Sequence, residues 1–202
     1  FQSPLPAQQQ SPHSPPSSSG SGGYGTPVNE PLLNPEYGYR LDPPAGWLLT
    51  NAENMRLLGF SSPDGKSVAQ FLIHEKDAYR QLGPEPGRQQ IEPSRQQTGN
   101  GDQTSAAKRM KDDLLNRLRD TEVLSSDRFE YAGRDAVLTD LNFTVGEGQK
   151  VRGYALCVAD PVHPMTAIAY VRREYYETYH DFIVSFLDSL SLDGGGDGLP
   201  GP

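Results

Sequence analysis

Between residues 128 and 173 the chain reverses direction repeatedly within very short spacers, and this limits its folds more than any other feature. RFEYAG (128–133) runs straight into RDAVLTDLNFTV (134–145), and Gly146-Glu147-Gly148 separates that from KVRGYALCV (150–158). Asp160-Pro161 and Pro164 then precede MTAIAYVRR (165–173). Each run is rich in β-branched and aromatic residues and alternates, with Val137, Leu141, Phe143 and Val145 on one side. Parallel neighbours need a crossover of about a dozen residues, which these spacers cannot supply. The segment therefore predicts an antiparallel meander.

The flanks supply further elements. Tyr37, Tyr39 and Leu41 alternate as a strand that Pro43-Pro44 ends, after which Trp47-Leu48-Leu49 re-enters the core. MRLLGF (55–60) and KSVAQFLIH (66–74) form a hairpin around Ser-Ser-Pro-Asp-Gly, with Gly65 where positive φ is needed. Ala107, Met110, Leu114 and Leu118 recur at helical spacing, with Asp102 or Thr104 as the expected cap. EYYETYHDFIVSFLDSL (174–190) is the clearest helix, striped by Tyr175, Tyr179, Phe182, Phe186 and Leu190 and widened by Ile183 and Leu187. Gly153, Ala155 and Cys157 on one strand, and Met165, Ala167, Ala169 and Val171 on the next, predict a face of mostly small side chains under that helix. The expected architecture is α+β, an antiparallel sheet of five to six strands packed with helices.

The ends read differently. Residues 1–36 are Pro/Ser-rich, then Gly/Ser-rich, and cannot bury enough apolar area to offset their ordering entropy, so a disordered tether is expected there. The domain is expected over 37–192, with a polar flexible insertion at 83–103 and a flexible tail at 193–202. A Ser/Pro/Gln-rich opening has the composition of a tether on an exported protein, which points to the periplasm, the cell surface or secretion. A formal net charge of −8 argues against nucleic acid as a partner, since that interface needs a dense positive footprint. With Cys157 alone, no internal disulfide can form. No run approaches the roughly 18 apolar residues of a membrane helix.

Three stretches, in order along the chain, resemble the PsbP-like superfamily, including its DcrB-type bacterial envelope lipoproteins. They are Tyr39-Arg-Leu-Asp-Pro-Pro-Ala-Gly-Trp47, Tyr131-Ala-Gly-Arg-Asp-Ala-Val137 and Phe182-Ile-Val-Ser-Phe-Leu-Asp-Ser-Leu190. The resemblance implies a non-enzymatic module, since its members include assembly factors of photosynthetic complexes, a Ran-binding protein, effector chaperones and envelope proteins. It supplies no catalytic residues. The implied role is binding or assembly of a protein partner or a lipid-like ligand in the cell envelope, with a possible membrane tether through the N-terminus.

Motifs that carry chemistry do not add to this. The sequence holds no GxSxG nucleophile turn and no GxxxxGK[ST] phosphate loop, and GEGQK (146–150) joins two strands. Neither a catalytic residue nor a cofactor is assigned. Asn142-Phe143-Thr144 is a glycosylation sequon placed inside a strand. The binding candidates are Tyr170, Arg172, Arg173 and Tyr176, types enriched at interfaces, together with Trp47, which serves either as core or as a ligand platform. Two other readings stay open. One is a chaperone with an apolar groove for a client helix. The other is a metal-dependent enzyme, which requires His74, His163 and His180 to converge.

Overall fold

The computed structural model describes residues 25–53, 55–75 and 105–192. The expected insertion at 83–103 and the tail at 193–202 lie outside these, as do residues 1–24. The expected tether, by contrast, extends too far. The chain is already in strand at β1 (Thr26–Pro27) and β2 (Leu32–Asn34), paired with later strands through backbone bonds that need no apolar side chains.

The meander is present as four strands: β7 (Arg119–Tyr131), β8 (Arg134–Val145), β9 (Gln149–Val158) and β10 (Met165–Arg172). A second meander comprises β4 (Leu48–Glu53), β5 (Leu57–Ser61) and β6 (Ser67–Ile73). Its β5–β6 turn carries Gly65 at φ 69°, the left-handed position expected of that glycine. Strand β6 lies beside β10 and joins the two meanders into one sheet of order β1-β4-β5-β6-β10-β9-β8-β7. Eight strands replace the five to six expected.

The first predicted strand belongs elsewhere. β3 (Tyr39–Leu41) pairs with β2 and with β11 (Leu190–Leu192) in a separate three-stranded sheet. β1, β2 and β11, at two or three residues each, are too short for alternation to show and go unannounced.

Helices cover both faces of the large sheet. α1 (Ala106–Arg117) is capped by Ser105, whose hydroxyl accepts the Lys108 N–H at 3.2 Å, rather than by Asp102 or Thr104. The Asp135 carboxylate accepts the Ala107 N–H at 3.2 Å and ties that helix end to β8. Met110 of α1 packs with Cys157, and Leu114, Leu115 and Leu118 pack against Leu141, Phe143, Val151, Ala155 and Ile168. On the other face, a 3-10 turn (Arg173–Tyr175) leads into α2 (Tyr176–Asp188). Here Ile183, Phe186 and Leu187 meet Leu156, Val158, Met165, Ala167, Ala169 and Val171, with the small sheet alongside.

The face of β10 under α2 is the expected one, but that of β9 is the opposite. Ala167 lies opposite Leu156 and Ala169 opposite Tyr154. Residues directly opposite share a face, so Tyr154, Leu156 and Val158 turn to α2 while Gly153, Ala155 and Cys157 turn to α1. At position 153 a Cβ would sit 2.1 Å from the Ala169 carbonyl oxygen and 2.6 Å from Tyr170 Cα, so the strands approach more closely than a side chain allows.

Candidate functional site

Trp47 is fully buried, stacked on Phe182 with centroids 5.0 Å apart and planes within 9°, and tilted against Phe186. This is a core position, not a ligand platform. The two prolines and Gly46 turn the chain inward there, and α2 closes over the indole. The hairpin beneath is fastened to the same helix: Tyr179 donates its hydroxyl to Asp64, and Lys66 Nζ lies over the rings of Tyr175 (4.9 Å) and Tyr179 (5.6 Å).

Tyr176 is also inside. The 3-10 turn delays the start of α2, and the helix phase this sets points Tyr176 inward and leaves Tyr175 and Tyr179 half-buried. Tyr176 lies under Arg152, whose guanidinium carbon is 3.8 Å from the ring centroid. Arg152 donates to both carboxylate oxygens of Asp140, at 2.8 and 3.3 Å, holding a nearly buried anion. The Tyr154 hydroxyl bonds Tyr176 Oη at 2.9 Å and His180 Nε2 at 3.0 Å, and His180 Nδ1 lies 2.9 Å from Asp181.

Burial, reinforced by its bond to Tyr154, pushes the Tyr176 phenol above the ordinary tyrosine range. A phenol so held does not supply a nucleophile near neutral pH. The network instead suits clamping the start of α2 onto β8 and β9.

Tyr170 is half-buried on the α1 face, edge-on to Phe143 at 5.2 Å. Arg172 and Arg173 remain as exposed candidates, and the structure gives them company. Arg172 pairs with Val151 across β9–β10, which brings the β8–β9 turn alongside. Gln149, Lys150, Arg172, Arg173 and Glu174 line one open cleft of about 500 Å³ at this end of the sheet. Its internal neutralisation is slight, with Arg172 Nη1 4.0 Å from Glu174. Of the five sequence candidates, two therefore share a cleft, Trp47 and Tyr176 are internal, and Tyr170 sits apart on the α1 face. Gln149, Lys150 and Glu174 were missed because strand pairing, rather than chain proximity, assembles the cleft.

The three histidines do not come together. His74 Nε2 bonds Thr166 Oγ1 at 2.8 Å, the His163 ring meets Tyr37 at 4.9 Å, and His180 joins the tyrosine network. Among the described residues no group of three His, Cys, Asp or Glu side chains is arranged to hold a metal ion. The Asn142 sequon is buried in β8, its amide donated to Glu122 at 2.8 Å. Among the described residues no helix is long and apolar enough to cross a membrane.

A broad antiparallel sheet held between one helix on one face and a helix with a small sheet on the other defines a PsbP-like fold. One comparison with a solved structure supports this at the level of fold. The solution structure of cyanobacterial PsbP (CyanoP) from Synechocystis matches with a TM-score of 0.51 at 14% identity, over 87% of this chain and 98% of that one. The Saccharomyces cerevisiae Ran-binding protein Mog1p matches with a TM-score of 0.49 at 9% identity, over 83% of this chain and 96% of the other. No protein-family model matches the sequence, and no curated protein does. At such identities the likeness is one of fold.

Proposed function

We propose that this chain is a non-catalytic binding or assembly module that docks a protein partner through the cleft at the end of β9 and β10. The observation that carries the proposal is the grouping of Lys150, Arg172 and Arg173 in one open cleft on a chain of net charge −8. An acidic segment of a partner complements these cations, and arginine forks give such contacts orientation as well as attraction. The nearby Arg152, Tyr154, Tyr176 and His180 are engaged with one another and with Asp140, and they do not line the cleft. The PsbP-like fold agrees with a module of this kind. Export to the cell envelope, as in the DcrB-type lipoproteins, belongs to the same proposal and rests on the Pro/Ser/Gln-rich composition of the first residues.

The test is cross-linking of the full chain in extracts of its own cells, with wild type and the Arg172→Glu/Arg173→Glu pair compared side by side. A partner held by wild type and lost with the charge reversal supports the reading. Equal capture by both refutes the cleft. A native mass spectrum of the purified wild type is the companion measurement. Extra mass released on denaturation, with the value of a lipid or metal, would replace the protein-partner reading.

A further inference from the structure

Strand β7 is the outer strand of the eight-stranded sheet, and among the described residues it pairs only with β8. At 13 residues it is long for an edge, and edges of that length present a row of peptide groups to any second strand. Its first half is spoiled for pairing: the register slips between Arg119 and Glu122 and again between Val123 and Ser125, and Asp120 has φ 50°. From Ser125 to Tyr131 the ladder is regular, each residue opposite one of Asp140 to Arg134. Only this stretch can accept another strand.

Its side chains are ordered for one kind of partner. Asp127, Phe129 and Tyr131 lie opposite Leu138, Ala136 and Arg134, on the α2 face. Arg128 and Glu130 lie opposite Val137 and Asp135, on the α1 face. A strand that pairs antiparallel with its own copy places residues of equal parity opposite each other, because opposite residues share a face and orient their peptide groups alike. The two-fold axis must therefore pass through a residue. An axis through Asp127, Arg128 or Glu130 sets like charges face to face. An axis through Phe129 sets Arg128 opposite Glu130 of the second copy, twice by symmetry, with Phe129 on Phe129 and Asp127 on Tyr131.

We propose that the chain forms a two-fold dimer through β7, paired antiparallel about Phe129 into one continuous sixteen-stranded sheet. Arg128 already leans on Asp135 (2.6 Å) with 64% of its side chain exposed, so it is fixed at the edge with room for a second carboxylate. The interface is isologous and closes on itself, and its charge pairs set the register rather than most of the affinity.

The test uses the full chain. Phe129→Cys places thiols across the axis at a separation suited to a disulfide, so mild oxidation yields a covalent dimer. Ser125→Cys, far from its symmetry mate, yields none. By sedimentation, Glu130→Arg weakens self-association about tenfold, since two attractions become repulsions. Adding Arg128→Glu to it restores opposite charges and recovers the dimer, which a structural lesion would not do. A wild type that stays monomeric when concentrated overturns the proposal, as does a Glu130→Arg variant that the second substitution fails to rescue. A Phe129→Cys chain that cross-links to a different protein instead of itself also overturns it.

Discussion

Acidification between pH 6.5 and 4 should weaken this fold through one histidine. His74 follows β6 half-buried, its Nε2 against the Thr166 hydroxyl, and burial together with the Arg117 and Arg56 guanidiniums holds its pKa down from 6.5 to about 4, against a smaller opposing pull from Asp113. Above pH 6.5 the ring is neutral both folded and unfolded, and its contribution to stability is fully present. As pH falls below 6.5 the unfolded chain takes up a proton that the folded chain refuses, so stability drops until pH reaches about 4. At 1.36 kcal/mol per pKa unit the gap from 6.5 to about 4 has a ceiling of about 3 kcal/mol, and water at the open side of the ring lowers this to about 2 kcal/mol. Asp64 titrates in a separate window. Burial raises its pKa, but bonds from Ser62, Tyr179 and the Lys66 N–H outweigh that and bring it from 3.8 to about 2, so its loss belongs below pH 3.8. The assay is urea unfolding at a series of pH values, followed by the fluorescence of the single, buried tryptophan. His74→Gln keeps an amide near the Nε2 position and cannot titrate, so its stability should stay flat from pH 6.5 to 4 while wild type declines. Parallel pH profiles for the two proteins would refute the reasoning.

Three further outcomes follow from the packing. Arg152→Ala strips the partner from the nearly buried Asp140 and uncovers Tyr176, which should cost about 3 kcal/mol in urea unfolding; a loss below about 1 kcal/mol would mean water replaces the guanidinium. Gly153→Ala drives a methyl into the Ala169 carbonyl, and a loss of about 3 kcal/mol is expected; a neutral substitution would show that β9 and β10 can part. Burial pushes the Cys157 thiol up to about 12, with the Thr166 bond opposing only weakly, so a thiol reagent should label the chain only once denaturant opens it. Rapid stoichiometric labelling of the native protein would contradict the packing of Met110 against that sulfur.

What the sequence discloses here is whatever is local. The bounds of β8 at Arg134–Val145 and the left-handed Gly65 follow from turn residues and alternation, which act within a few positions. The face of β9 does not follow, because the sheet is covered on both sides and both parities are filled with apolar or small residues. Tyr154, Leu156 and Val158 are as fit for a core as Ala155 and Cys157, and only the pairing with β10 decides between them. The first half of β7 is hidden for the opposite reason, since RDTEVLSS has no buried face to impose a period. The candidate site divides along the same line. Arg172-Arg173 is visible as adjacent cations at a strand end, whereas Lys150 and Gln149 reach them only through the register that sets Arg172 against Val151. Tyr176 shows how small a shift matters: one 3-10 turn ahead of α2 sets the helix phase that turns it inward beneath Arg152. The cations exposed in the cleft are therefore those the internal pairings leave over. Arg152 is drawn to Asp140, and Lys150, Arg172 and Arg173 are left exposed at the cleft.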